Sequence, residues 1–321
     1  MKQQRGAAIL TAMLTVVLVA TLAASMLWQQ WRGVEIETAQ RARVQSAWIL
    51  TGALDWARLI LREDARQGGA DHLAEPWAVP LAPARLSSFL AAEKGQALVG
   101  DDTDARQDAF LAGSIQDLQA RLNVTNLLDN GKLHESTLKT WQRLFAYLSL
   151  PEQDLQTLTQ ALLTAAEPNN TNAPQVGKPL MPQDVNDLVW LGVPATTLQV
   201  IAPYVTVLPL RTTVNLNTAP AEVLQACVPG MDMARARELV QARASRQMDT
   251  LADAENLINA TDVNLDANEH GIASRYFEIT GRLRVGQATL QERSVVQRDG
   301  QVVKVLTRTR EAAFDAATPL Q

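Results

Sequence analysis

Lys2-Gln3-Gln4-Arg5-Gly6 runs directly into Ala7-Ala8-Ile9-Leu10-Thr11-Ala12-Met13-Leu14, and the chain stays free of charge through Leu27. From Ala7 to Leu27 this makes an apolar run of roughly 21 residues, enough to cross a bilayer as a helix. Lys2 and Arg5 precede the run, so the positive-inside rule keeps the amino terminus in the cytoplasm and sends the rest across. A secretory signal would have a shorter apolar core, with a small-residue cleavage site on its far side. Here the far side is Trp28-Gln29-Gln30-Trp31-Arg32, the aromatic and polar edge of a span that is retained.

Helical spacing continues past that edge. Val44, Ala47, Trp48, Thr51, Leu54, Ala57 and Leu61 fall on one side, with Arg43, Asp55, Arg58 and Arg62 largely on the other. Gly68-Gly69 is a stop signal. The pattern predicts a helix from Ala7 to Arg66, either unbroken or kinked near Gly33. Residues 71 to 108 read as a loop-rich stretch with short elements, holding Pro76, Pro80 and Pro83 and then Asp101, Asp102, Asp104 and Asp108. That acidic group has oxygens for calcium but lacks the alternation and closing glutamate of an EF-hand, which favours a solvated loop.

The middle of the chain is helical. Leu138, Trp141, Leu144, Phe145 and Leu148, then Leu155, Leu158, Leu162 and Leu163, give two helices between Glu135 and Ala166 broken at Pro151. Pro168 to Pro182 is a polar loop. Asp184 opens a short helix through Trp190 with Gly192 as its cap. Val214-Asn215-Leu216-Asn217-Thr218-Ala219-Pro220 then leads into a helix from Ala221 to Cys227. The turn Pro229-Gly230-Met231-Asp232 and a second helix from Ala234 to Arg243 follow. Thr218 is the expected amino-terminal cap, with Pro220 in the first turn.

Toward the carboxy terminus the period changes to two. Phe277, Ile279, Gly281, Leu283 and Val285 alternate with Glu278, Thr280, Arg282 and Arg284, the pattern of a half-buried strand. A second strand is expected from about Ala288 to Val296, and Asp299-Gly300 is a hairpin signal before a third from Val302 to Thr309. Residues 311 to 321 read as a frayed tail.

Composition narrows the function. Of 321 residues, 29 are Lys or Arg and 34 Asp or Glu, a net charge of −5 that gives no overall attraction to nucleic acid. The single cysteine, Cys227, rules out an intrachain disulfide and a cysteine-rich metal site, and its apolar helix makes it a small buried hydrophobe. His72, His134 and His270 are scattered, and no nucleophile–base pair or ligand cluster marks an enzyme.

The leader resembles that of type IV pilin-like proteins, a short basic peptide ending in glycine and cut before the hydrophobic helix. The resemblance implies cleavage by the prepilin peptidase between Gly6 and Ala7, leaving Ala7 as mature residue one, open to methylation. Thr11 then stands at the fifth mature position, where the pilin family usually has a glutamate that pairs with a neighbour's amino terminus. Its absence is typical of the minor pseudopilin called general secretion pathway protein K. Gly113 to Leu127 also resembles the segment of that family where a strand leaves the pilin sheet, with Ala120 and Leu122 in place of the common glycine and phenylalanine. The Asn215 to Pro220 segment and its two helices resemble the family's helix-hairpin-helix unit.

The resemblance covers essentially the whole chain and implies an α+β fold, in which a pilin-like long transmembrane helix packs on an antiparallel sheet that carries a large inserted all-helical domain. The divisions expected are leader 1–6, span 7–27, helix with loop and first strand 28–120, helical insertion 121–265, sheet 266–310 and tail 311–321. It further implies a single-pass inner-membrane protein with a periplasmic head. That head would cap the type II secretion pseudopilus with minor pseudopilins I and J, and H below them, to support protein secretion and not as an enzyme. Family members carry an acidic, calcium-associated segment in the insertion. Here Glu167-Pro168-Asn169-Asn170-Thr171-Asn172-Ala173-Pro174 is short and nearly uncharged, so no cofactor is expected.

The alternative is a membrane-tethered helix-hairpin-helix protein that binds DNA for uptake. Such units expose backbone N–H groups to a phosphate through hairpin glycines. Gly230 is present, but Asp232 replaces a second glycine. Between Thr206 and Ala260, five arginines (Arg211, Arg235, Arg237, Arg243 and Arg246) meet six carboxylates. That balance favours a structural hairpin.

Overall fold

A computed structural model of the chain describes residues 5–86, 109–167, 177–258, 263, 265–285 and 288–313. Helix α1 (Arg5–Gln67) has 63 residues and runs through Gly33 without a break. It is long and apolar enough to cross a membrane. Side chains from position 8 to position 45 are exposed. The hydroxyls of Thr11, Thr15, Thr21 and Ser25 donate to carbonyls three residues earlier at 2.8–3.0 Å, so these polar groups bond to their own helix. The helix ends at Gly68, whose φ of +68° suits glycine and whose N–H bonds back to the Asp64 carbonyl at 3.1 Å.

From Leu54 onward the chain builds a sheet and a helical insertion. The sheet comprises β1 (Leu81–Arg85), β2 (Ala109–Asp117), β9 (Tyr276–Val285), β10 (Ala288–Asp299) and β11 (Val302–Ala313). These lie in that order and all pair antiparallel. Strand β1 departs from the expected single strand before the insertion. Pro83 hid it in a proline-spaced stretch, and an edge strand tolerates the missing N–H. Two more expectations are corrected: β10 continues past Val296 to Asp299, and β11 extends to Ala313, into the stretch expected to be tail.

Leu54, Ala57 and Leu61 of α1 pack on Phe277, Ile279, Val296 and Val303 of the sheet, with Trp77 wedged among them. Trp77 meets Phe277 edge to face at 5.2 Å between ring centroids. Asp117 stands opposite Phe277 in the register of β2 and β9, so the chain leaves the sheet and returns to it at adjacent points. Everything between belongs to the insertion. The return comes at Tyr276, one residue before the strand expected from Phe277, and His270 and Gly271 ahead of it pair inside the insertion.

The insertion contains β3 (Leu122–Asn123), β4 (Leu128–Asp129), β5 (Lys132–Leu133), α2 (Glu135–Tyr147), α3 (Glu152–Ala166), α4 (Ala195–Ile201), β6 (Val205–Thr206), β7 (Val214–Asn215), α5 (Ala221–Cys227), α6 (Met233–Ser245), α7 (Leu251–Ile258) and β8 (His270–Gly271). Strand β3 pairs with β6 and β7 with β8, both parallel. Its core joins Trp141, Leu144, Leu158, Ile201, Val223 and Leu224, all wholly buried. The segment opened by Asp184 is a 3-10 turn, Val185–Val189, held by a capping box between Asp184 and Asp187.

Candidate functional site

Gly6 and Ala7 lie in the helical backbone of the first turns of α1. Thr11 is exposed and its hydroxyl donates to the Ala8 carbonyl at 3.0 Å, a neutral group bonded to its own helix. All three positions lie in the first turns of α1. The acidic group Asp101 to Asp108 and the stretch Pro168 to Pro174 lie outside the described residues.

The junction between sheet and insertion is a buried polar hub centred on Asp117. Its Oδ2 accepts from Asn215 Nδ2 at 3.0 Å, Thr218 Oγ1 at 2.6 Å and Ser274 Oγ at 2.6 Å, and its Oδ1 from the Gln119 N–H at 2.7 Å. Burial pushes its carboxyl up, against the Ser274 and Thr218 hydrogen bonds, which pull it down. Asn215 Nδ2 also reaches the Asp71 carbonyl at 3.1 Å and Ser274 Oγ at 2.9 Å. Asn217 clamps both backbone groups of Met248, donating to its carbonyl at 2.9 Å and accepting from its N–H at 3.0 Å.

The Asn-Leu-Asn-Thr segment is therefore a set of side chains that bond to distant backbone and to Asp117. Thr218 is not the expected helix cap. Pro220 holds that position, and the Thr218 hydroxyl is drawn instead to the Asp117 carboxyl, a stronger acceptor.

The helix-hairpin-helix unit is α5, the turn at Gly230 and α6. Gly230 has a φ of +79°, which suits glycine. Asp232 caps α6, accepting from the Arg235 N–H at 2.8 Å. Arg243 is buried and donates to the Leu216 carbonyl at 2.5 Å; desolvation pushes its pKa down to about 10. Two residues that bear on phosphate binding are thus engaged within the fold. Cys227 is buried, and burial pushes its thiol up to about 12. His270 meets the Cys227 carbonyl at 3.2 Å, not the sulfur, and His134 caps α2.

A second cluster escaped the sequence reading. Asp64 at the end of α1, Asp71 and Glu75 in the following loop bring carboxylate oxygens within 4.8 Å of one another. The Arg298 guanidinium from β10 bonds to both Asp64 and Asp71. Asp71 also accepts from the Ser274 N–H at 2.6 Å, which links this corner to the hub. Arg298 lies 234 and 227 residues from Asp64 and Asp71, so no local signal announces their meeting.

An antiparallel sheet packed on the end of a long apolar helix, with a helical domain spliced between neighbouring strands, defines a pilin-like subunit with a membrane anchor. The fold matches a chain in the crystal structure of the GspK-GspI-GspJ complex from the enterotoxigenic Escherichia coli type 2 secretion system. The TM-score is 0.64 at 18% identity, over 86% of this chain and 99% of that one. Type II secretion system protein K of Pseudomonas aeruginosa is 26% identical over 95% of this chain and 92% of its own length. The protein of the same name from Klebsiella pneumoniae is 27% identical over 95% and 96%. Two family models described as type II secretion system protein K match residues 120–210 and 214–273. Over most of its length the chain is thus similar to type II secretion system protein K.

Proposed function

We propose that this chain sits at the tip of the periplasmic pseudopilus, where it joins minor pseudopilins I and J, above H, and helps to initiate the filament for secretion across the outer membrane. The observation that carries the reading is the insertion between adjacent strands β2 and β9. A head enlarged in this way leaves poor room for another subunit stacked on it, whereas at the tip no such room is needed. Neutral Thr11 supports the same place, because a tip subunit has no upper neighbour whose ammonium group a carboxylate could meet. The matching fold in a complex with I and J supports those partners. In this reading the prepilin peptidase cuts between Gly6 and Ala7, and α1 anchors the subunit in the inner membrane with the head in the periplasm.

Site-specific crosslinking in secreting cells tests the assignment. The head is expected to crosslink to I and J, with Ala7 found at the amino terminus by mass spectrometry. Crosslinks to the major shaft subunit on both sides of the head would overturn tip placement.

A further inference from the structure

Glu75 closes the carboxylate corner. Its Oε2 accepts from the His72 N–H at 2.8 Å and from Trp77 Nε1 at 2.7 Å, so it holds in place the indole that fills the sheet core. The groups facing it are Asp64 from α1, Asp71 and His72 from the loop, Arg298 from β10, and Arg275, which pairs with Asp299 at 3.0 Å. Asp117 from β2 lies behind Asp71. Arg298 is already shared between Asp64 and Asp71. One guanidinium therefore serves two carboxylates and leaves the third, Glu75, against Asp64 with no cation of its own among the described residues.

A carboxylate held this close to a second one in a partly desolvated corner does not ionise readily, and a proton kept on it removes the repulsion. We propose that Glu75 keeps its proton against the neighbouring Asp64 and makes the corner a protonation-sensitive clasp on Trp77, tighter in acid than in alkali. Burial and the Asp64 partner push Glu75 up to about 7. The folded chain thus keeps a proton that the unfolded chain releases near 4.5. Stability from this group is fully present below the lower value, falls as pH rises through the window between the two, and is lost above the upper one. Asp71 and Asp117, both raised by burial, act in the same direction. The clasp would let the head stiffen or loosen with the pH around it, without any ligand.

The full-length chain in detergent micelles supplies the test, by thermal melts from pH 5 to 8.5 of wild type and Glu75→Gln. The amide mimics the protonated acid, donating to Asp64 while accepting from His72 and Trp77. Glu75→Gln is expected to match wild type at pH 5 and to melt about 5 °C higher at pH 8.5. Equal slopes, or a lower midpoint for the variant at pH 8.5, overturn the clasp. Should that variant not fold, Asp64→Asn removes the opposing charge and is expected to flatten the wild-type slope; an undiminished slope overturns the proposal. Calcium added at pH 8.5 is a separate arm. No change in the wild-type midpoint is expected, and a rise that Glu75→Gln abolishes would mean a cation site and no proton kept on Glu75.

Discussion

The insertion and the sheet hold themselves together by different means. The core of the insertion draws buried side chains from every helix from α2 to α7, so no single side chain closes it. Among the described residues, one core cluster of the sheet joins a face of α1, four strand residues and Trp77, and polar groups supply its margin, with Arg298 stacked over Phe277 at 4.8 Å and Glu75 on the indole. An inserted domain with its own core can persist when its host loosens. A helix-on-sheet layer whose cluster centres on one tryptophan beside a charged corner is expected to have less in reserve.

Trp77→Ala is expected to have the largest effect on this contrast. Truncating a buried tryptophan costs about 3–5 kcal/mol, and here it also removes the Glu75 hydrogen bond. The sheet should then melt first, and calorimetry should show a second, higher transition from the insertion. Leu144→Ala, wholly buried in the insertion, should cost about 2–5 kcal/mol and lower that higher transition instead. If both variants lower one shared transition equally, the two regions are a single cooperative unit and the contrast fails.

Asn215→Ala sharpens the comparison at the hub. It removes bonds to Asp117, Asp71 and Ser274 and leaves Asp117 with fewer donors, at a cost of about 1–3 kcal/mol. Because the hub ties β2 to the insertion, the expected signature is a wider separation between the two transitions as well as a lower first one. A variant that melts as wild type would show that the hub contributes little to the coupling.

Periodicity made much of this fold readable. The α2 and α3 apolar spacing, the two helices around Gly230 and the alternation of β9 each follow from one face meeting a core. Strand β1 was hidden because Pro83 reads as loop, and only pairing with β2 makes an edge strand of it. Thr218 shows a different limit. Serine or threonine before a helix usually caps it, yet a buried carboxylate from another part of the chain is the stronger attraction. The corner of Asp64, Asp71 and Glu75 gave no sign of Arg298, which meets it only when β10 packs beside the end of α1.

The smallest expected effect concerns Cys227, and it measures the insertion without perturbing it. The thiol sits on α5 among side chains of the insertion core, and burial pushes it up to about 12. Only the thiolate reacts readily with thiol reagents, so at pH 8 the folded chain offers neither access nor ionisation. A thiol reagent should label wild-type protein no faster than the insertion opens. With Trp77→Ala the labelling rate is expected to stay nearly unchanged, because the loss falls on the sheet. With Leu144→Ala it should rise by about 10-fold or more, since each 1.4 kcal/mol of lost stability raises the open population about tenfold. Cys227→Ala serves as the unlabelled control and is expected to cost little, as it removes one buried sulfur and its weak contact to the Leu224 carbonyl at 3.7 Å. Rapid labelling of the wild type at pH 8 would place the weaker core in the insertion and reverse the ranking of the two regions. Labelling that accelerates as much in Trp77→Ala as in Leu144→Ala would mean that opening the sheet opens the insertion with it, with the Asp117 hub as the link to examine next.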